Sequence, residues 1–477
     1  AQLAARGVLS GYPDGTFKGR QPTTRYEMAS ALARGLALVE MDKADKQDVE
    51  RLKRLVVEFQ DELDALGVKV DQLDQRVAVF EKNLGGWQIA GEMGLDVNFG
   101  REVRAGEPSW YADDSDPSNA GEVNLDRARL FFTRYLDATS MVFIRIDGSS
   151  GESSGPVYNQ FYYAKYMGNG WTMAAGRANS DWEGELGLYD GSNSGIYTDF
   201  TGPSFSVMKE WGSVHLHMYY GGGDGFSNAA ARLKVVLNEH ITFAVTESYW
   251  HGPDMLNPIE LAFLPPDADL PPARNNYMST TGAYLAVNVT PDIALKGLYY
   301  YQKQGDTWLV DSALNPANPD DTATAWKVAL DIKQEALKFT SLWVEYAQID
   351  NHFWHNGGLE NAVPYGFNGA SLLSNQPLGF STDVTNVYGV VLRQQWNDKW
   401  RTYAGFYKAD YGADDLLGLG GLSDATNWAV GVGYRYNANV DFELSYDRID
   451  YGDTNPAALG FRNGSDNQIR LRTTVTF

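Results

Sequence analysis

The chain ends in an alternating stretch, Gln468-Ile469-Arg470-Leu471-Arg472-Thr473-Thr474-Val475-Thr476-Phe477. Apolar side chains fall only at odd positions, whereas the even positions are polar throughout. A period of two is typical of a β-strand with one apolar and one polar face. The same alternation occurs at 326–333 and 440–447, where the polar face is mostly charged. Such strands suit a sheet that separates lipid from water.

Short turns alternate with long polar segments from residue 87 to residue 477. Eight tight turns join sixteen strands, and one more strand at each end gives about 18, to within about two. The pattern predicts an all-β transmembrane antiparallel barrel over 87–477. One long segment is expected to fold inward as a constriction, and the longest are 251–278 and 350–384. The tight turns are predicted at 136–138, 168–170, 211–213, 238–240, 290–292, 334–336, 397–399 and 437–439.

The amino-acid composition excludes several kinds of site and partner. The 477 residues include no cysteine, which excludes disulfides, thiolate metal sites and cysteine nucleophiles. A formal net charge of −22 argues against a nucleic-acid partner, because phosphate binding needs a basic excess. No run of 18 uncharged apolar residues occurs, so the sequence predicts no transmembrane helix.

Residues 1–40 combine a tight loop with a capped helix. The loop is Gly11-Tyr12-Pro13-Asp14-Gly15-Thr16-Phe17, and the helix is predicted from about Arg25 to Val39, with Thr24 and Glu27 as a capping box. The loop and the Thr24-Arg25-Tyr26-Glu27 start resemble the S-layer homology (SLH) domain. The resemblance implies a partial cell-wall-binding module, since the first helix of such a domain would precede Ala1. Local capping and pairing by Arg25 and Glu27 is the alternative. The resemblance implies wall binding by Tyr12, Asp14, Gly15, Thr24, Arg25 and Glu27.

Residues 46–85 repeat apolar side chains at spacings of three and four over five heptads. This stripe predicts a parallel coiled coil on the order of 55 Å long. The residue types at the seam leave a dimer and a trimer both open. The predicted core residues are Val49, Leu52, Val56, Phe59, Leu63, Leu66, Val70, Leu73, Val77, Phe80 and Leu84.

The order of module, coiled coil and barrel resembles the SLH-domain outer-membrane porins and tethers of Deinococcus–Thermus, Negativicutes and cyanobacteria. The terminal Phe477 resembles the signal read by the outer-membrane assembly machinery. The resemblance implies a homotrimer in outer-membrane lipid, with the module and coiled coil in the periplasm. It also implies passive diffusion of ions and small solutes, and a tether to peptidoglycan or a pyruvylated wall polymer.

Strand parity predicts charged side chains on the lumen face, where they select ions or simply pair with one another. No catalytic group, cofactor or metal site is predicted. Paired histidines at 215 and 217 lack a third ligand, and loosely bound Ca²⁺ at acidic loops stays a minor alternative. A plugged structural barrel and an SLH-anchored hydrolase are the other interpretations. The predicted lumen residues are Arg127, Arg129, Arg145, Glu345, Arg393, Arg435, Asp441, Glu443, Asp447, Arg470 and Arg472.

Overall fold

The computed structural model describes most of the chain beyond residue 84. The described residues are 85–100, 122–148, 157–190, 195–197, 199–223, 226–253, 275–304, 322–351, 353, 372–373, 375–377, 381, 383–416, 418–457 and 460–477. The predicted SLH module at 1–40 lies outside them, as does the predicted coiled coil up to residue 84. The domain boundaries at 40, 46 and 85 therefore stay predictions.

The chain separates into two compact units. The smaller unit comprises Ala1–Ile89 and Phe132–Tyr135, in which the Trp87 ring meets the Phe132 ring edge-on at 6.4 Å. The larger unit comprises Ala90–Phe131 and Leu136–Phe477.

Eighteen β-strands form the described part of the chain, with two one-turn helices between them. Among the described residues, neither helix is long and apolar enough to cross a membrane. The helices are α1 (Trp182–Glu185) and α2 (Gln334–Leu337). The strands are β1 (Trp87–Gly100), β2 (Glu122–Asp137), β3 (Ser140–Gly148), β4 (Val157–Gly168), β5 (Trp171–Asp181), β6 (Asp199–Trp211), β7 (Val214–Gly223), β8 (Phe226–Val236), β9 (Ile241–Pro253), β10 (Asn275–Thr290), β11 (Ile293–Gln304), β12 (Thr322–Ile332), β13 (Ser341–Asp350), β14 (Val384–Gln395), β15 (Trp400–Asp410), β16 (Ala425–Arg435), β17 (Val440–Asp450) and β18 (Ser465–Thr476).

Successive strands are neighbours in one sheet, and β1 also pairs antiparallel with β18. The sheet is therefore a closed barrel with no free edge, which confirms the predicted fold class and strand number. Phe477 completes the closure, because its backbone exchanges hydrogen bonds of 2.7 and 3.0 Å with that of Gly91.

The short turns coincide with all eight predicted positions. Asparagine shapes three of them: the Oδ1 atoms of Asn238, Asn397 and Asn437 each accept bonds from two backbone N–H groups just downstream. This is the Asx geometry that sets the direction of a tight turn.

Alternation assigns one face of each strand to the outside. On β12 and β18, Val328, Ile469 and Leu471 are about 44% exposed, whereas Lys327 and Arg470 on the opposite face are almost fully buried. The outward set is apolar and the inward set polar, as expected for a barrel that sits in lipid.

Candidate functional site: the barrel lumen

Arginines and carboxylates interlock on the inward face of β15–β17. Arg401 Nη1 and Nη2 donate to the two carboxylate oxygens of Asp441 at 2.8 and 2.6 Å. Arg401 Nη2 also lies 3.2 Å from Glu443 Oε2. Glu443 accepts a further bond from the Tyr403 hydroxyl at 3.0 Å. The bidentate geometry fixes Arg401 along the wall.

The chain of charges continues across β18 to β1. Arg470 Nη2 lies 3.1 Å from Glu443 Oε1, and its Nη1 lies 3.7 Å from Asp96 Oδ2. Arg472 donates to both oxygens of Asp96, at 2.6 and 2.5 Å. Asp96 is thus shared by two arginines and is almost fully buried between them.

A second group of charges lies on β1–β3. Arg129 sits 3.8 Å from Glu92 and 3.6 Å from Asp147, and Arg145 makes a bidentate ion pair with Asp147. We call the two groups together the paired wall. Its members are Glu92, Asp96, Arg129, Arg145, Asp147, Arg401, Asp441, Glu443, Arg470 and Arg472.

Two glycines leave room for large inward side chains to pack flat against the sheet. A Cβ atom on Gly433 would collide with the Arg401 guanidinium, and one on Gly431 would collide with the Tyr403 ring. Both glycines stand directly across the ladder from those residues. Their missing side chains therefore keep Arg401 and Tyr403 against the sheet and out of the lumen.

Residues 182–190 and 195–197, called here the inserted segment, pack inside the barrel. It begins with α1, which Asp181 caps by accepting a 2.8 Å bond from Gly184 N. Glu183 is fully buried, and its carboxylate accepts from Ile196 N at 2.8 Å, Tyr197 N at 2.7 Å and the Tyr300 hydroxyl at 2.7 Å. One carboxylate thus holds both ends of the segment together and fixes them to β11.

Other contacts tie the inserted segment to several strands. Trp182 Nε1 donates to His217 Nδ1 on β7 at 3.0 Å. Tyr197 shares a 2.7 Å hydrogen bond with Ser248 on β9, and burial raises the pKa of Tyr197 above its usual value. Two ion pairs complete the attachment: Glu185 with Arg232 on β8, and Asp190 with Arg393 on β14 at 3.0 Å.

An aromatic cluster fills the space beside the inserted segment. The Tyr300 ring lies 5.4 Å from the Tyr197 ring and 5.7 Å from the Tyr284 ring, and Phe353 packs 6.0 Å from Tyr300. The inward side chains of β7–β14 are largely buried against this cluster, and we call them the filled half. They include Ala230, Ala244, Trp250, Met278, Leu298, Ala325, Ala329, Trp343, Ala347 and Val387.

The structure places the predicted lumen residues in different environments. Six belong to the paired wall; Glu345 is buried in the filled half, where Trp343 Nε1 donates to it at 2.7 Å. Arg393 holds the inserted segment, and Arg435 is exposed beside the turn after β16. Asp447 is buried and accepts from the Ser445 hydroxyl at 2.9 Å. Arg127 lies on β2, and its side chain is outside the described part of the structure.

A segment between two strands folds into the barrel. The segment seen to fold inward joins β5 and β6, and it is shorter than 251–278 and 350–384. Residue 353 and residues 372–373 from the second of those ranges are buried against the same core, whereas 254–274 lie outside the described residues. Part of the range 350–384 thus joins the same core, and an inward fold of 251–278 stays a prediction. The segment between β5 and β6 lies outside both ranges, and its sequence signal is the large apolar residues at 182, 186 and 188.

Histidines do not form a metal site in the described residues. His217 faces Trp182, whereas His215 approaches Glu210 at 3.6 Å, and no cluster of three metal-ligand side chains occurs within the described ranges. His352 and His355 lie outside the described residues.

Comparison with known proteins agrees with the sequence resemblance. Residues 1–29 match the S-layer homology domain. The outer membrane protein SlpA of Thermus thermophilus is 38% identical over 90 residues, which cover 17% of this chain and 10% of that protein. The first 29 residues are thus similar to an S-layer homology domain, and the described residues beyond 84 form an 18-stranded barrel. An uncharacterized Nostoc protein, alr4550, is 40% identical over 84 residues, 16% of this chain and 15% of that protein.

The match to each of these relatives thus spans well under a fifth of the relative's length. Among solved structures, OccD3 (OpdP) of Pseudomonas aeruginosa aligns over 82% of this chain and 91% of its own length, with 11% identity and a TM-score of 0.47.

Proposed function

We propose that the protein is a porin, through which ions and small hydrophilic solutes diffuse passively, and that it catalyses no reaction. The observation that supports this proposal is the charge on the lumen face. Seven strands contribute charged side chains to it, and the inserted segment narrows the lumen beside them. A lumen lined by charged and hydrogen-bonding groups offers polar solutes replacements for their water of hydration.

A tethering role accompanies the proposed transport. The SLH match at residues 1–29 supports a link between the outer membrane and the wall polymer, as does the likeness to the outer membrane proteins named SlpA in Thermus and Deinococcus. In this proposal the coiled coil spans part of the periplasm, and three chains assemble so that three modules reach the wall. The barrel needs no cofactor for diffusion, and Ca²⁺ at acidic loops stays a prediction.

A plugged barrel without transport is the second candidate. The observation that favours it is the filled half, where buried aromatic and aliphatic side chains close part of the lumen. Planar bilayer recordings of the full chain distinguish the two candidates: stepwise conductance supports the porin, and silence from folded, heat-modifiable protein supports the plug.

The tether is tested by sedimentation with purified cell-wall sacculi. We expect the full chain to sediment with them and Arg25→Ala to bind more weakly, because Arg25 offers a planar fork to an anionic wall group. Arg34→Ala, on the same predicted helix, is the matched control. Equal sedimentation of Arg25→Ala and wild type would contradict the assigned role of Arg25.

A further inference from the structure

The inserted segment crosses the barrel. It leaves the sheet after β5 and reaches Arg393 on β14 through Asp190, whose side chain is only 1% exposed. In a closed ring of 18 strands, β14 is nine strands from β5 in either direction. The segment therefore connects opposite sides of the wall and divides the lumen into two halves.

One of these halves is occupied by side chains. Ala325 and Ala347, which face inward on β12 and β13, are fully buried, and Tyr300 on β11 is fully buried beneath the inserted segment. A hydrated solute has no route along a wall whose alanines are sealed by packed aromatic rings.

The other half keeps part of its side chains accessible, although Asp96 and Arg470 are almost fully buried. Side chains of Arg129, Asp147 and Arg401 in the paired wall are 23–30% exposed, and Phe143 and Tyr162 on β3 and β4 are half-buried. Inward side chains become less exposed towards the ends of β15–β17 that are remote from the short turns. There Tyr411 is buried and its hydroxyl donates to the backbone carbonyl of Leu372. The accessible part of this half thus begins at the short-turn ends of β15 and β17 and continues along β2–β4.

The accessible wall carries its charge in internal pairs. Within its described residues, five arginines and five carboxylates alternate, and each lies within 4.0 Å of an opposite charge in the same wall. For an ion of one sign, attraction to one member of each pair and repulsion from the other are of similar size. A zwitterion can place its carboxylate near an arginine and its ammonium near a neighbouring carboxylate, so both of its charges are attracted.

Resting on the proposed porin function, we propose that solutes cross along the paired wall and that this passage favours zwitterionic solutes over ions of either sign. The filled half takes no part in transport. The chemical class recognised is a small molecule that carries an ammonium and a carboxylate together, as a free amino acid does.

The position of the passage is tested by cysteine substitution, since the chain has no native cysteine. Thr474→Cys places a thiol on the inward face of β18, opposite Asp441 and Gly94, and Ala347→Cys places one in the filled half. A negatively charged methanethiosulfonate added to bilayers should reduce the conductance of Thr474→Cys and leave that of Ala347→Cys unchanged. The reverse pattern would overturn the passage alone, whereas no conductance from any folded variant would overturn the porin function as well.

Solute preference is tested by uptake into proteoliposomes of labelled glycine, glycolate and ethanolamine, which are similar in size and differ in charge. Proteoliposomes with the wild-type protein should take up glycine faster than glycolate or ethanolamine. The double variant Asp441→Asn/Glu443→Gln leaves Arg401 without a carboxylate partner and Arg470 with Asp96 alone. The attraction between two unit charges 4 Å apart in water is about 1 kcal/mol, which raises the local anion concentration about fivefold. Glycolate should therefore overtake glycine in that variant, whereas Asp424→Asn, paired with Lys408 outside the paired wall, should behave as wild type. Faster passage of glycolate or ethanolamine than of glycine through the wild type would overturn the preference.

Discussion

The Glu183 carboxylate is the point at which the lumen is most sensitive to a single change. Glu183→Ala removes the acceptor of three buried donors: two backbone N–H groups and the Tyr300 hydroxyl. The Tyr300 hydroxyl keeps a partner in the Tyr284 hydroxyl at 2.7 Å, so two buried N–H groups are left without an acceptor. Each costs about 1–3 kcal/mol, which gives about 2 kcal/mol at the lower bound. That free energy shifts the equilibrium between the bound and the released inserted segment by about 30-fold.

Single-channel recording is the assay for this change. We expect Glu183→Ala to give higher and noisier conductance than wild type, because the segment that divides the lumen is no longer fixed at both ends. Glu239→Ala, which removes an exposed carboxylate in the turn before β9, is the matched control and should leave the recordings unchanged. Wild-type steps and noise in a folded Glu183→Ala barrel would refute the assigned role of Glu183.

Three further perturbations follow from the same contacts. Gly431→Ala should push the Tyr403 ring into the lumen and lower conductance, whereas Gly148→Ala, where a Cβ meets only ordinary 3.9 Å contacts, should not. Gly91→Ala should displace the Phe477 ring from the seam and lower the temperature of heat modification; an unchanged midpoint would exclude a contribution of this contact. Because burial raises the pKa of Tyr197, its contribution to segment stability is present below pH 10 and lost as the pH rises further, so conductance noise should be constant from neutral pH to pH 9 and increase above pH 10. Noise that increases well below pH 10 would contradict this reasoning.

The barrel was predictable because its signals are local. A turn such as 437–439 depends on one asparagine and its next neighbours, and the alternation of β18 is complete within ten residues. The closed sheet then follows from counting turns, since each turn reverses the chain once. A period of two assigns faces without knowledge of the partner strand, and the structure has Arg129, Arg145, Arg470 and Arg472 on the inward face.

The inserted segment was not predictable by the same means. Its position depends on Glu183 meeting Tyr300, 117 residues away, and on Asp190 meeting Arg393, 203 residues away. Nothing within 182–197 specifies those partners, so segment length was the available criterion, and it pointed to other loops. The pairing of lumen charges depends likewise on register between strands, which fixes which arginine meets which carboxylate.

Conductance of the full chain in a planar lipid bilayer tests the proposed porin function most directly. We predict stepwise openings grouped in threes, from a trimer, with a reversal potential near zero in a potassium chloride gradient because the paired wall balances its charges. A folded, heat-modifiable barrel that inserts and conducts nothing would contradict the porin function and leave the plugged barrel as the function of this structure.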